Sequence, residues 1–119
     1  MNGKSADLDQ VAAIAAAASV VSDVKTLLAL PATLIQRAAD LKGIDVGAQD
    51  CHVGIYGPHT GDLSAEMLAD AGASHIIVGH SERRSDHGET DDVVRRKVAA
   101  VQAAGLMAIA QSCPMRNRR

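Results

Sequence analysis

The sequence predicts an α/β protein in which about four parallel strands are flanked by helices. Short apolar runs recur at intervals of roughly twenty residues and alternate with helical patterns, as βαβ units on a parallel sheet do. The clearest run, Ile76-Ile77-Val78, stops at Gly79 and is followed at once by His80. Because parallel-sheet enzymes carry their chemistry just past the carboxyl ends of the strands, His80 is the first candidate site residue.

The first half of the chain predicts two helices and two strands. Residues 5–20 are predicted to form an Ala-rich helix, since Ser5 can cap it and its larger apolar residues share one face. Residues 24–30 form a strand closed by Pro31, residues 34–41 a helix, and residues 44–48 a second strand. Residues 49–61 form a glycine-rich loop, too long for a plain connector, which is either functional or disordered.

The second half continues the same alternation. Ser64 caps a short helix that ends at Gly72 and turns Met67 and Leu68 inward. Residues 74–78 form the next strand. Ser81 is predicted to cap the helix after it, whose positive end would disfavour a proton on His80.

A longer helix is predicted to start at Thr90 and to end at Gly105, before a last strand over residues 106–110. Val94, Val98 and Val101 lie on its apolar face. The basic residues Arg95, Arg96 and Lys97 are predicted to lie largely off that face.

Composition excludes several classes of protein. A net charge of −2 gives no reason to expect nucleic acid or an anionic membrane as a partner. No run of about 18 apolar residues is present and residues 1–4 do not read as a signal peptide, so a cytoplasmic protein is expected. Cys51 and Cys113 are expected to be reduced thiols. Because the sequence contains no Trp and no Phe, its core is expected to consist of small side chains.

The histidines outside the strand end raise the alternative of a metal site. Their spacings contain no helical i, i+4 pair and no short ligand motif, so ordinary surface or core histidines are expected and no metal is predicted. These residues are His52, His59, His75 and His87.

Four sequence motifs together resemble the triosephosphate isomerase family in its bacterial form. The resemblance runs from about residue 1 to about residue 109 and implies a partial (β/α)8 barrel, the TIM barrel. Residues 1–110 would be the barrel domain, and residues 111–119 a basic tail outside the family pattern that is expected to be disordered. A complete barrel needs about 250 residues. The motifs are Gly47-Ala48-Gln49, Thr60-Gly61, Val78-Gly79-His80-Ser81-Glu82-Arg83-Arg84 and His87-Gly88-Glu89-Thr90-Asp91.

The resemblance also implies a reaction. The family interconverts dihydroxyacetone phosphate and D-glyceraldehyde 3-phosphate through an enediolate, without a cofactor, and a neutral histidine at the position of His80 acts as the electrophile. Glu82 would hold the family's catalytic lysine in place. Members of the family are homodimers, and a loop of each subunit inserts beside the partner's active site. Residues 49–61 correspond to this loop, with Thr60 and Gly61 at the matching positions.

Further site residues follow from the same resemblance. Gln49, Ser81 and Glu89 would be supporting polar residues near the strand ends, whereas Arg83 and Arg84 would pair with carboxylates across the loops. Asp62 stands where the family more often has glutamate.

The ends of the chain suggest an alternative to an active enzyme. The family's lysine would precede residue 1, and Lys4 does not take its role. The base glutamate and the phosphate-binding loops would follow residue 119. The alternative is therefore a catalytically inactive fragment.

Overall fold

Four parallel strands form one sheet in the part of the chain that this computed structural model describes, residues 1–112. Their spatial order follows the sequence, β1-β2-β3-β4. Leu30 lies opposite Ala48, and Ile76 lies opposite both Ala48 and Ala108. The predicted sheet of four parallel strands is confirmed. The strands are β1 (Leu27–Leu30), β2 (Asp45–Ala48), β3 (His75–Val78) and β4 (Met107–Ala110).

Helices connect each strand to the next, as the sequence predicts. A 3-10 turn at Ser5–Asp7 leads into the first helix. The predicted strand over residues 24–30 begins only at Leu27, because Val24 is 61% exposed and has no sheet neighbour. The second helix starts directly after its N-cap, Pro31, two residues before the predicted position. The helices are α1 (Leu8–Ser19), α2 (Ala32–Ala39), α3 (Ala65–Asp70), α4 (Ser81–Asp86) and α5 (Asp91–Ala103).

Side-chain caps start three of these helices. Ser64 accepts a hydrogen bond from the Met67 N–H at 3.1 Å, and Thr90 does the same for the Val93 N–H at 3.3 Å. The predicted cap at Ser81 is wrong. His80 is the N-cap of α4 and Ser81 is its first residue, because the imidazole rather than the hydroxyl accepts a backbone N–H.

The core lies between the sheet and its helices and is built mostly from small aliphatic side chains. Its largest fully buried members are Leu34, Ile35, Ile76, Val78 and Val101. Close packing extends to the backbone. Gly72 has φ +108°, and a Cβ added there would lie 2.4 Å from the Cβ of Ala39 at the end of α2.

Two predicted orientations are wrong. Met67 does not face inward but is 52% exposed, while its neighbour Leu68 is 3% exposed, since a six-residue helix buries only a narrow stripe. Lys97 is 6% exposed, as an apolar residue would be. It lies three residues after Val94 and four before Val101, so helical geometry turns it inward regardless of its charge.

The predicted tail, residues 111–119, lies outside the described residues from residue 113 onward. Gln111 is described, and its backbone N–H donates to the Val78 carbonyl at 3.0 Å, so sheet-like bonding reaches one residue past β4. Within residues 1–112, no helix is long and apolar enough to cross a membrane.

Candidate functional site

The carboxyl ends of β2 and β3 open into one cavity of about 690 Å³. Because parallel strands end at the same edge of a sheet, the segments that follow them meet there. Gln49, Asp50 and Cys51 enter the cavity lining after β2. His80 and Arg83 enter it after β3.

His80 is positioned by a tight turn between β3 and α4. Gly79 makes the turn with φ +69°, and a Cβ at this position would lie 2.8 Å from Cγ1 of Val94, so only glycine fits without a shift of α5. The chain then enters α4 with the imidazole at its start. Nδ1 of His80 accepts the backbone N–H of Glu82 at 3.2 Å.

This contact determines where a neutral His80 carries its proton. A ring nitrogen that accepts a hydrogen bond carries no hydrogen, so in the neutral imidazole the proton lies on Nε2. The side chain is 40% exposed, and the Glu82 carboxylate lies 3.7 Å from Nδ1. In its neutral form, His80 therefore presents an Nε2–H donor at the strand ends.

Four charged side chains form a partly buried ionic cluster beside the cavity, here called the Lys97 cluster: Asp50, Arg83, Glu89 and Lys97. Nζ of Lys97 donates to Asp50 Oδ1 at 2.8 Å and also to Oε1 of Glu89. Nε of Arg83 lies 3.0 Å from Asp50 Oδ2 and 2.7 Å from Glu89 Oε1. The cluster links the segment after β2, helix α4 and helix α5.

Electrostatics inside the Lys97 cluster favour the ionised carboxylate of Glu89. Burial by itself raises the pKa of Glu89, but hydrogen bonds from Lys97 and Arg83 and their positive charges outweigh it, and the net pKa is lowered. Oε2 of the same carboxylate is buried and has no hydrogen-bond partner within the described part of the chain.

Arg84 secures the turn on which His80 lies. Its Nε donates to the Gly79 carbonyl at 3.0 Å, and its Nη1 donates to Asp91 Oδ1 at 2.6 Å. Ser81 contributes through its backbone rather than its hydroxyl, since its N–H donates to Oε1 of Gln111 at 3.3 Å. These contacts hold the start of α4 against both α5 and the end of β4.

The loop over residues 49–61, called the arm from here on, is fastened at both ends. Nε2 of Gln49 donates to the Ala29 carbonyl at 3.1 Å, and the His52 N–H donates to the Leu63 carbonyl at 2.8 Å. Thr60 and Gly61 are exposed, and Gly61 also lines the cavity that contains His80.

Cys51 carries a buried thiol, is 3% exposed and lines the cavity. Burial and then the charge of Asp50 raise the pKa of Cys51 to about 11, so the thiol stays protonated at neutral pH. It is therefore a packing residue rather than a nucleophile. Within residues 1–112, no group of three or more His, Cys, Asp or Glu side chains is arranged to hold a metal ion.

The sequence reasoning missed two members of this region, Lys97 and Asp50. Lys97 lies on the same face of α5 as Val94 and Val101, and this spacing predicts a buried side chain. Its positive charge favoured an exposed one instead. Asp50 follows Gln49 directly after β2, where a polar side chain lies at the strand ends. By contrast, His80, Glu82, Gln49 and Arg83, each named from the sequence, line one cavity.

Comparison with known proteins gives consistent matches. The model of the family described as triosephosphate isomerase matches residues 1–113. The chain is 56% identical over 114 residues to the triosephosphate isomerase of Bradyrhizobium sp. strain BTAi1, covering 92% of this chain and 45% of that protein. It is 62% identical over 87 residues to the one from Ruegeria sp. strain TM1040, covering 72% and 35%.

A solved structure agrees as well. The crystal structure of triosephosphate isomerase from Bartonella henselae superposes with a TM-score of 0.86 at 49% identity, covering 92% of this chain and 46% of that one. The chain thus spans about half the length of the relatives that it matches.

Fold and site together define a segment of a parallel α/β barrel whose candidate site lies at the carboxyl ends of its strands. The family match covers most of that segment. The chain belongs to the triosephosphate isomerase family.

Proposed function

We propose that this chain contributes the electrophilic histidine, His80, to a triosephosphate isomerase active site. The observation that carries the proposal is the hydrogen bond from the Glu82 backbone N–H to Nδ1 of His80. It leaves the proton of a neutral imidazole on Nε2, where the ring can donate to a substrate oxygen. The proposed substrates are dihydroxyacetone phosphate and D-glyceraldehyde 3-phosphate, as the family name implies.

The proposed chemistry is a proton shift between neighbouring carbons. A carboxylate base removes the proton next to the carbonyl, and the carbonyl oxygen becomes part of an enediolate. The proton then returns to the other carbon, while a second proton leaves the original hydroxyl oxygen and one is gained by the original carbonyl oxygen, so that carbonyl and hydroxyl exchange places. A donor already aimed at the oxygen stabilises this charge without reorganising, which is the role we assign to His80. The reaction transfers protons only and needs no cofactor.

Two further roles belong to the same proposal. The side chain of Glu82 is 78% exposed, and its carboxylate would form an ion pair with the ammonium group of the family's catalytic lysine. Gln49, Ser81, Glu89, Arg83 and Arg84 would support the strand ends through the contacts described above.

The proposal extends to partners and location. Thr60 and Gly61, exposed on the arm, would contact the partner subunit of a homodimer. We also propose a cytoplasmic location, because a triose phosphate is an anion that does not cross a lipid bilayer unaided.

A polypeptide of these 119 residues is proposed to be inactive by itself. The family's base glutamate has no counterpart among the matched residues. Asp50, a carboxylate that lines the cavity, is bound to Lys97 and Arg83 and cannot take its place without breaking the Lys97 cluster.

A graft and the 119-residue polypeptide, assayed side by side, test the two parts of the proposal. Residues 1–112 replace the matching segment of the Bartonella henselae enzyme, and turnover is followed in a coupled dehydrogenase assay. We expect the graft to be active and His80→Gln to lower kcat by about 100- to 1000-fold. His75→Gln is the matched control, since His75 lies at the amino end of the same strand.

Two results would contradict the proposal. If His80→Gln leaves kcat of the graft within about threefold, the assignment of the electrophile is wrong. If the 119-residue polypeptide turns over substrate and loses this activity with His80→Gln, it is not inactive alone.

A further inference from the structure

Two histidines of the arm lie face to face at its base. The rings of His52 and His59 stack with their centroids 4.0 Å apart and their planes 28° apart. His52 is half-buried, with 23% of its side chain exposed, while His59 is exposed. The arm therefore folds back so that His59, near its carboxyl end, covers His52, near its start.

His52 also accepts a hydrogen bond from the arm's own backbone. The Gly54 N–H donates to Nδ1 of His52 at 2.8 Å. The approach is close: a Cβ added at Gly54 would lie 3.2 Å from Nδ1, and one added at Gly57 would lie 3.1 Å from the His59 ring. The two histidine rings thus serve as the packing surface for Gly54 and Gly57.

Protonation of His52 conflicts with this arrangement. An imidazolium carries hydrogen on both nitrogens, so Nδ1 could no longer accept the Gly54 N–H, and two donors would face each other. A second positive charge on the stacked ring of His59 would add repulsion.

The other charged groups around His52 are too distant or too exposed to offset these losses. Asp62 Oδ2 lies 3.9 Å from Nε2 of His52, beyond hydrogen-bond distance, and its side chain is 59% exposed. Glu66 and Arg96, which line a groove with residues 53–55, carry opposite charges. Together these two side chains contribute no net charge to the groove.

We propose that His52 and His59 form a pH-sensitive latch that holds the arm folded while His52 is neutral and releases it when His52 gains a proton. The latch concerns the conformation of the arm and does not depend on the proposed isomerase activity. If the arm also docks into a partner subunit, as proposed above, acidification would weaken that contact as well.

Hydrogen–deuterium exchange of the full chain tests the latch. Protection of a peptic peptide over the arm is corrected for the intrinsic exchange rate and followed from about pH 8 to about pH 5, where histidines gain their proton. We expect it to fall about five- to tenfold, the effect of losing one hydrogen bond. Protection of a peptide over β3 should stay constant.

Three variants separate the latch from general acid sensitivity. His52→Asn retains an acceptor near the position of Nδ1 that cannot gain a proton in this range, so its arm protection should not change with pH. His59→Phe retains a stacked ring without charge and should show a smaller fall. His87→Asn, outside the arm, should behave like the unaltered chain.

The proposal is overturned if arm protection is constant in the unaltered chain, or if His52→Asn shows the same fall. It is also overturned if the β3 peptide loses protection over the same pH range, since the change would then be global unfolding. The β3 peptide reports whether each variant is folded, and His59→Phe provides a second route should His52→Asn fail to fold.

Discussion

Nζ of Lys97 lies 2.8 Å from Oδ1 of Asp50 and joins helix α5 to the segment that follows β2. The two residues are 47 positions apart in the sequence. Their contact brings a cation into the interior beside Glu89, where Arg83 also binds. The strand ends around the candidate site are thus cross-linked by charge as well as by sheet hydrogen bonds.

Lys97→Met should destabilise the chain strongly. The substitution removes a buried cation and leaves Asp50 and Glu89 with only Arg83 as a counter-charge, a type of change that costs about 3–5 kcal/mol. Arg95→Met is the matched control on the same helix, since Arg95 is 79% exposed. It should change the free energy of unfolding by less than about 0.5 kcal/mol. Urea unfolding followed by circular dichroism measures both.

A double variant checks the cause of that loss. Lys97→Met combined with Glu89→Leu leaves Arg83 paired with Asp50 and no unpaired buried carboxylate at residue 89. We expect it to recover much of the stability lost in Lys97→Met. Equal instability of the single and double variants would show that lost packing, not unpaired charge, is responsible.

Stability should fall in acid because of Glu89. Its pKa is lower in the folded chain than in the unfolded one, so the folded state binds its proton less readily. The contribution is present above the unfolded value of about 4.3 and is lost as pH falls through the folded pKa. Urea midpoints measured downward from about pH 5 should drop less steeply in Glu89→Gln. An unchanged slope would mean that other carboxylates cause the loss.

Cys51 should resist thiol reagents until the chain unfolds. With a pKa of about 11, its thiolate fraction at about pH 8 is roughly one hundredth of that of an ordinary cysteine, apart from shielding by burial. Reaction with a disulfide reagent is measured in a Cys113→Ser background, which leaves Cys51 as the single thiol. Denaturant should restore the ordinary rate. Fast labelling of the folded chain would contradict the burial of Cys51.

Gly79→Ala should cost more than Gly88→Ala, although both glycines have positive φ. At either position, backbone strain in an alanine with positive φ lowers the free energy of unfolding by about 1–2 kcal/mol. Gly88 has φ +65° and open space around it, whereas a Cβ at Gly79 would lie within 3 Å of both methyl groups of Val94. The difference between the two unfolding free energies should be about 1–3 kcal/mol, the cost of overpacking. Equal costs would show that Val94 moves freely.

The sequence was sufficient for the alternation of elements and for the histidine at the strand end. Short Val/Ile runs, capping residues and turn glycines are local signals, and the segment from Ile76 to His80 contains a strand, a turn and a candidate site residue in five consecutive positions. Local signals also located the ends of most elements to within a few residues.

Contacts between distant segments were decided by the tertiary structure. Whether Ser81 or His80 caps α4 depends on which side chain the turn at Gly79 brings to the Glu82 N–H. Whether Lys97 faces solvent or the interior depends on carboxylates at residues 50 and 89 that packing places beside it. Burial of a charge is favourable only when partners are already there, and no local pattern records where a partner from another element will lie.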